Sequence, residues 1–94
     1  MPIFLIERTF AEQLEVTKDD TAGINQINED VGVNWLISFL SADKKKTDCL
    51  YEAPSAEAII EAAKLAGLPA DVVIEVGAVN PAGNVGAVEP EIFA

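Results

Sequence analysis

Ninety-four residues are enough for one hydrophobic core and too few for two, so any function of this chain must share a single domain. Sixteen acidic against six basic side chains give a formal net charge of −10, a field that repels the phosphate backbone and excludes nucleic acid as an expected partner. Half of the residues are hydrophobic, but they fall in short runs rather than the roughly 18 apolar residues that span a bilayer, so no membrane association is expected.

The N-terminal stretch Ile3-Phe4-Leu5-Ile6 has no basic region ahead of it and meets Glu7 and Arg8 at once, which does not match a secretory signal. It predicts instead a strand from Ile3 to Phe10, apolar on both alternating faces, in a soluble cytoplasmic protein. The single cysteine, Cys49, can form neither an internal disulfide nor a multi-cysteine metal site and agrees with a reducing compartment. A helix is predicted from Lys18, with Thr17 as its cap, Asp19 and Asp20 at the positive end of its dipole, and Ile24, Ile27 and Val31 at helical spacing. Gly32 ends it.

The aromatic and β-branched run from Val33 to Ser41, the polar turn Ala42-Asp43-Lys44-Lys45, and renewed strand character from Thr47 to Ala53 predict a hairpin. Lys44, Lys45 and Lys46 at that turn read as a solvated edge. Strict alternation puts Trp35, Ile37 and Phe39 on one side of the second strand, with Leu36 and Leu40 on the other. Ser55 then caps a second helix that buries Ala56, Ile59, Ile60 and Ala63, and Gly67 closes it ahead of Pro69. A last strand lies between Asp71 and Val79. Residues 80–94 form a tail rich in proline and glycine, whose Val85, Val88, Ile92 and Phe93 are either flexible or docked on a neighbour.

The order βαββαβ predicts an α+β, ferredoxin-like sandwich over residues 1–79, with an antiparallel four-stranded sheet and both helices on one face. The second strand has two apolar faces and the helices cover one. The other calls for a second subunit, and a homodimer is expected.

Trp35-Leu36-Ile37-Ser38-Phe39, the block Cys49-Leu50-Tyr51-Glu52-Ala53-Pro54-Ser55-Ala56-Glu57-Ala58, Ala66-Gly67-Leu68-Pro69-Ala70-Asp71, Glu75-Val76 and the early Glu7-Arg8 pair resemble a small bacterial family of unknown function described as nickel-binding. The resemblance covers residues 3 to 79, and the Glu-Ala-Pro-Ser block is its most specific part. It implies a ferredoxin-like subunit that pairs through its sheets as a dimeric α/β barrel, with nickel as a cofactor.

Nickel favours imidazole and thiolate donors, and this sequence contains no histidine, which leaves Cys49 and Glu52 as candidate metal ligands, with Glu7 and Glu75 as further carboxylates. Cys49 shares a face with Tyr51, whereas Glu52 shares the other with Asp48. A second arrangement places Glu7, Trp35, Tyr51 and Glu75 around one ligand cavity on the sheet. There, crowded carboxylates would raise at least one pKa and provide a proton acceptor. Three functions follow: a small-molecule or metal-binding protein, a cofactor-free enzyme of monooxygenase or isomerase type, and a structural or interaction module. No nucleophile elbow, phosphate loop or dinucleotide fingerprint is present.

Overall fold

Both helices begin and end on chemistry written in the chain. A computed structural model describes residues 1–88 and places α1 at Lys18–Val31 and α2 at Ala56–Ala66. The Thr17 hydroxyl accepts from the Asp20 amide at 3.1 Å while the Asp20 carboxylate accepts from the Thr17 amide at 3.0 Å, a reciprocal capping box. Gly32 closes α1 in the left-handed region at φ 85°, where a side chain would be strained. Ser55 caps α2 by accepting from the Ala58 amide, and Gly67 closes it in the left-handed region at φ 70°.

The strands are β1 (Ile3–Thr9), β2 (Asn34–Leu40), β3 (Lys46–Glu52) and β4 (Val72–Glu75), in the spatial order β2-β3-β1-β4 and antiparallel throughout. This is the α+β, ferredoxin-like sandwich expected from the element order. In-register pairing of Phe4 with Tyr51, Ile6 with Cys49 and Arg8 with Thr47 puts these six side chains on the face beneath the helices. Phe4, Ile6, Val33, Cys49, Tyr51, Ala53, Ile59 and Ala62 form the buried core there.

The opposite face carries Leu5, Leu50, Ile37 and Ile74, with Phe39 beside Asp48. Phe39 is 57% exposed and Ile74 49% exposed. The two helices do not cover this side, although Ile3 at its end is 4% exposed.

One expectation is corrected in detail. A β-bulge between Trp35 and Ile37 inserts Leu36 as a surplus residue, so Trp35 turns to the helix face with Ser38 and Leu40, while Ile37 and Phe39 turn outward. Strict alternation had put Trp35 with Ile37 and Phe39. The last sheet strand, Val72–Glu75, lies within the stretch expected for it, and beyond it Ala78–Val79 (β5) pairs with Val85–Gly86 (β6). Asn80 closes that hairpin by accepting from the amides of Ala82 and Asn84 at 3.0 and 3.2 Å. Val79 and Val85 remain 73% and 82% exposed, so these two side chains do not pack on the sheet, and Ile92 and Phe93 lie outside the described residues. Among the described residues no helix is long and apolar enough to cross a membrane.

Candidate functional site

At the edge of the core where β1 ends, the segment joining β1 to α1 does not pack flat on the sheet. Backbone bonds tie it to the hairpin turn, from the Phe10 amide to the Lys45 carbonyl and from the Leu14 amide to the Lys44 carbonyl, both 2.7 Å. Between this segment, α1 and the sheet lies a cavity of about 180 Å³. Phe10, Leu14, Val16, Ile24 and Leu68 form its apolar walls, and its floor on the sheet is Arg8, Trp35, Ser38, Leu40, Thr47, Cys49 and Tyr51. Val16 and Leu40, 46% and 48% exposed, flank its mouth.

The bulge at Leu36 decides who reaches this floor. With it, Trp35 lies over Tyr51 in a nearly parallel stack, ring centroids 6.4 Å apart and planes inclined by 11°. A polar relay runs beside the rings: Trp35 Nε1 donates to Ser38 Oγ at 2.8 Å, Ser38 Oγ donates to Cys49 Sγ at 2.9 Å, and Cys49 Sγ donates to Thr47 Oγ1 at 3.6 Å. The relay thus engages Trp35, Ser38, Cys49 and Thr47 with one another, and Cys49 within it is 4% exposed. A buried thiol engaged along such a chain packs as a small core group.

Arg8 ends the floor. It is 4% exposed, donates from its guanidinium to the Pro69 carbonyl, and stands 5.8 Å from the centre of the Tyr51 ring. Burial pushes the Tyr51 phenol above its ordinary pKa, opposed by the charge and hydrogen bonding of Arg8. The phenol is thus neutral.

The four side chains expected around one cavity do not converge. Trp35 and Tyr51 line it, whereas Glu7 and Glu75 do not, because β1 and β4 pair with Glu7 opposite Val72 and Phe4 opposite Glu75. That register sends Glu7 to the outer face and leaves Glu75 on the helix side, exposed, at the far end of the sheet. Glu7 pairs with Lys46 at 2.9 Å instead. The crowded carboxylate pair that an enzymatic proton acceptor would have used is not assembled.

The metal candidates separate too. Cys49 faces the core and Glu52 the outer side, where it accepts from Asn34 Nδ2 at 3.4 Å. Among the described residues no three histidine, cysteine, aspartate or glutamate side chains come together as a metal site, and the full chain has no histidine. The donor set present does not fit nickel.

Composition and periodicity did not single out Arg8, Ser38 or Thr47 as site residues, nor the loop residues Phe10, Leu14 and Val16. Arg8 carried a usable signal. It continues the alternation Phe4, Ile6 onto the buried face, and a charge in a core stripe marks a polar task.

A family model described as "Nickel responsive protein SCO4226-like" matches residues 4–76. Among solved structures, the crystal structure of SCO4226 from Streptomyces coelicolor A3(2) is similar, at 26% sequence identity and a TM-score of 0.61, covering 79% of this chain and 94% of that one. No curated protein matches.

Proposed function

The chain belongs to the SCO4226-like family of nickel responsive proteins, and from that premise we propose that it is a small-ligand-binding protein that uses the cavity over Trp35 and Tyr51 and works as a homodimer. The observation that carries the ligand reading is the cavity itself. An apolar cavity of about 150 Å³ is enough to take up benzene, and this one measures about 180 Å³ and opens to solvent beside Val16 and Leu40. It is made where a tightly packed interior would otherwise have collapsed. Backbone bonds from Phe10 and Leu14 to the hairpin turn fix the β1–α1 segment that forms one wall of this space.

The outer face supports the homodimer. Leu5, Ile37, Phe39, Leu50 and Ile74 form an apolar stripe, bordered by Glu7, Lys46 and Asp48, on the side that the helices leave bare. A second copy placed by a two-fold axis would meet the same stripe and bury it. The family resemblance implies this pairing as well.

Titration with toluene, followed by amide NMR shifts, tests the cavity. Saturable shifts confined to residues around Phe10, Trp35, Tyr51 and Leu68 are expected, and the substitution Val16→Phe, which fills the mouth without touching the core, should remove them. Absence of saturable shifts, or shifts that survive Val16→Phe, would refute the reading.

A further inference from the structure

We propose that the ligand is a small apolar monoanion, a carboxylate on a body about the size of one aromatic ring, with its charge held by Arg8; this deepens the small-ligand reading and rests on it. The guanidinium is charged at every accessible pH and offers five N–H donors. Arg8 is 4% exposed, and its hydrogen-bonding partners among the described residues, the Pro69 carbonyl and the Tyr51 phenol, are both neutral. Ion pairs among those residues involve Lys46 alone, so no carboxylate stands within 4.0 Å of Arg8. A buried charge without a counter-ion is unfavourable. Shortage of carboxylates does not explain it, since the chain has sixteen acidic residues.

A second unfilled donor lies beside it. Asn28 is 5% exposed, and its Nδ2 has no hydrogen-bond partner. It lies in a recess that shares Arg8, Ile24, Tyr51 and Leu68 with the main cavity. Arg8 is therefore the one charged group lining an apolar space whose floor otherwise carries the relay from Trp35 to Thr47 and the Tyr51 ring, with Asn28 packed behind it.

The form of the ligand follows from these groups. A planar carboxylate matches the guanidinium fork with two parallel bonds, and one negative charge balances one buried positive charge. A dianionic phosphate would carry a second charge into an apolar space within a chain of net charge −10. The volume sets the body, because about 180 Å³ holds one ring and a carboxyl group and little more. Phe10, Trp35 and Tyr51 supply aromatic surface for it.

Trp35 is the sole tryptophan, so its emission reports directly on the cavity. The test compares benzoate with benzamide, which has the same shape and no charge, on the full chain at neutral pH. Benzoate is expected to bind at least about ten-fold more tightly. Arg8→Met, which keeps the aliphatic stem, should erase that preference. Asn28→Asp, which supplies an internal carboxylate in the same recess, should weaken benzoate and leave toluene binding in place, and this second variant serves if Arg8→Met does not fold. Equal binding of benzoate and benzamide alongside toluene binding would overturn this inference and leave the small-ligand reading standing. Failure of benzoate, benzamide and toluene alike would overturn both.

Discussion

Replacing Phe39 by aspartate should split the proposed homodimer and leave the subunit folded. Phe39 lies on the outer face and is 57% exposed in one subunit. A phenylalanine presents roughly 200 Å², so about 110 Å² remains for a partner to cover. At about 25 cal/mol per Å² that is about 3 kcal/mol for each copy and about 6 kcal/mol for a two-fold pair, an upper figure because burial there need not be complete. Aspartate removes this term and brings two like charges toward the same interface. At 1.4 kcal/mol per factor of ten, a dimer with micromolar affinity would be weakened roughly 10⁴-fold and would run as a monomer at any practical concentration. The subunit itself loses little. Asp48 stands opposite position 39, and a like-charge cross-strand pair costs about 0.2–1 kcal/mol, a loss of a few degrees in Tm. Sedimentation equilibrium reads the association and thermal circular dichroism reads the fold. A wild-type chain sedimenting at its own mass of 10.0 kDa, or a variant that stays dimeric, would refute the argument.

Ile6→Ala should cost about 2–5 kcal/mol in urea denaturation, because Ile6 is fully buried at the centre of the sheet and the void cannot close; a loss under 1 kcal/mol would contradict the packing described. Tyr51, the sole tyrosine, should titrate above the ordinary phenol value in a spectrophotometric titration. Its folded pKa is raised, so the stability it contributes is complete below the unfolded pKa of about 10 and declines as the pH climbs beyond that. Tyr51→Phe should flatten this alkaline decline, and a phenol titrating at or below the ordinary value would exclude the buried setting. Nickel should bind the untagged chain weakly, micromolar or poorer by calorimetry, since no histidine is present and Cys49 is engaged by Ser38 and Thr47; nanomolar affinity would show a donor set other than the one seen.

Local signals in the sequence were reliable where one residue's chemistry decides. Thr17 and Ser55 mark helix starts, Gly32 and Gly67 mark helix ends, and the alternation along β3 places Cys49 with Tyr51 and against Glu52. Element order then sufficed for the sheet topology, since the split βαβ connection allows few alternatives. Relations between distant strands were not legible. Whether Glu7 and Glu75 share a face depends on the register of β1 against β4, which periodicity within either strand does not contain. The bulge was hidden for a similar reason, because an inserted residue leaves no compositional mark when it is leucine among apolar neighbours. The cavity was half legible: its aromatic floor could be anticipated, but its other wall comes from a segment tied by hydrogen bonds to a turn.

The surplus residue in β2 also bears on how this strand tolerates changes in length. Removing one residue from a strand ordinarily exchanges everything beyond the cut between the two sides of the sheet. Here the ladder already passes from Trp35 to Ile37 as though Leu36 were not counted, since their partners Tyr51 and Leu50 are consecutive. A chain shortened by Leu36 keeps Trp35 above Tyr51 and Phe39 facing outward, and gives up mainly the extra twist that a bulge imparts. Relatives one residue shorter at this point can therefore keep both the aromatic floor and the outer stripe, whereas a gap at Ser38 or Cys49 would move one set of side chains into the place of the other.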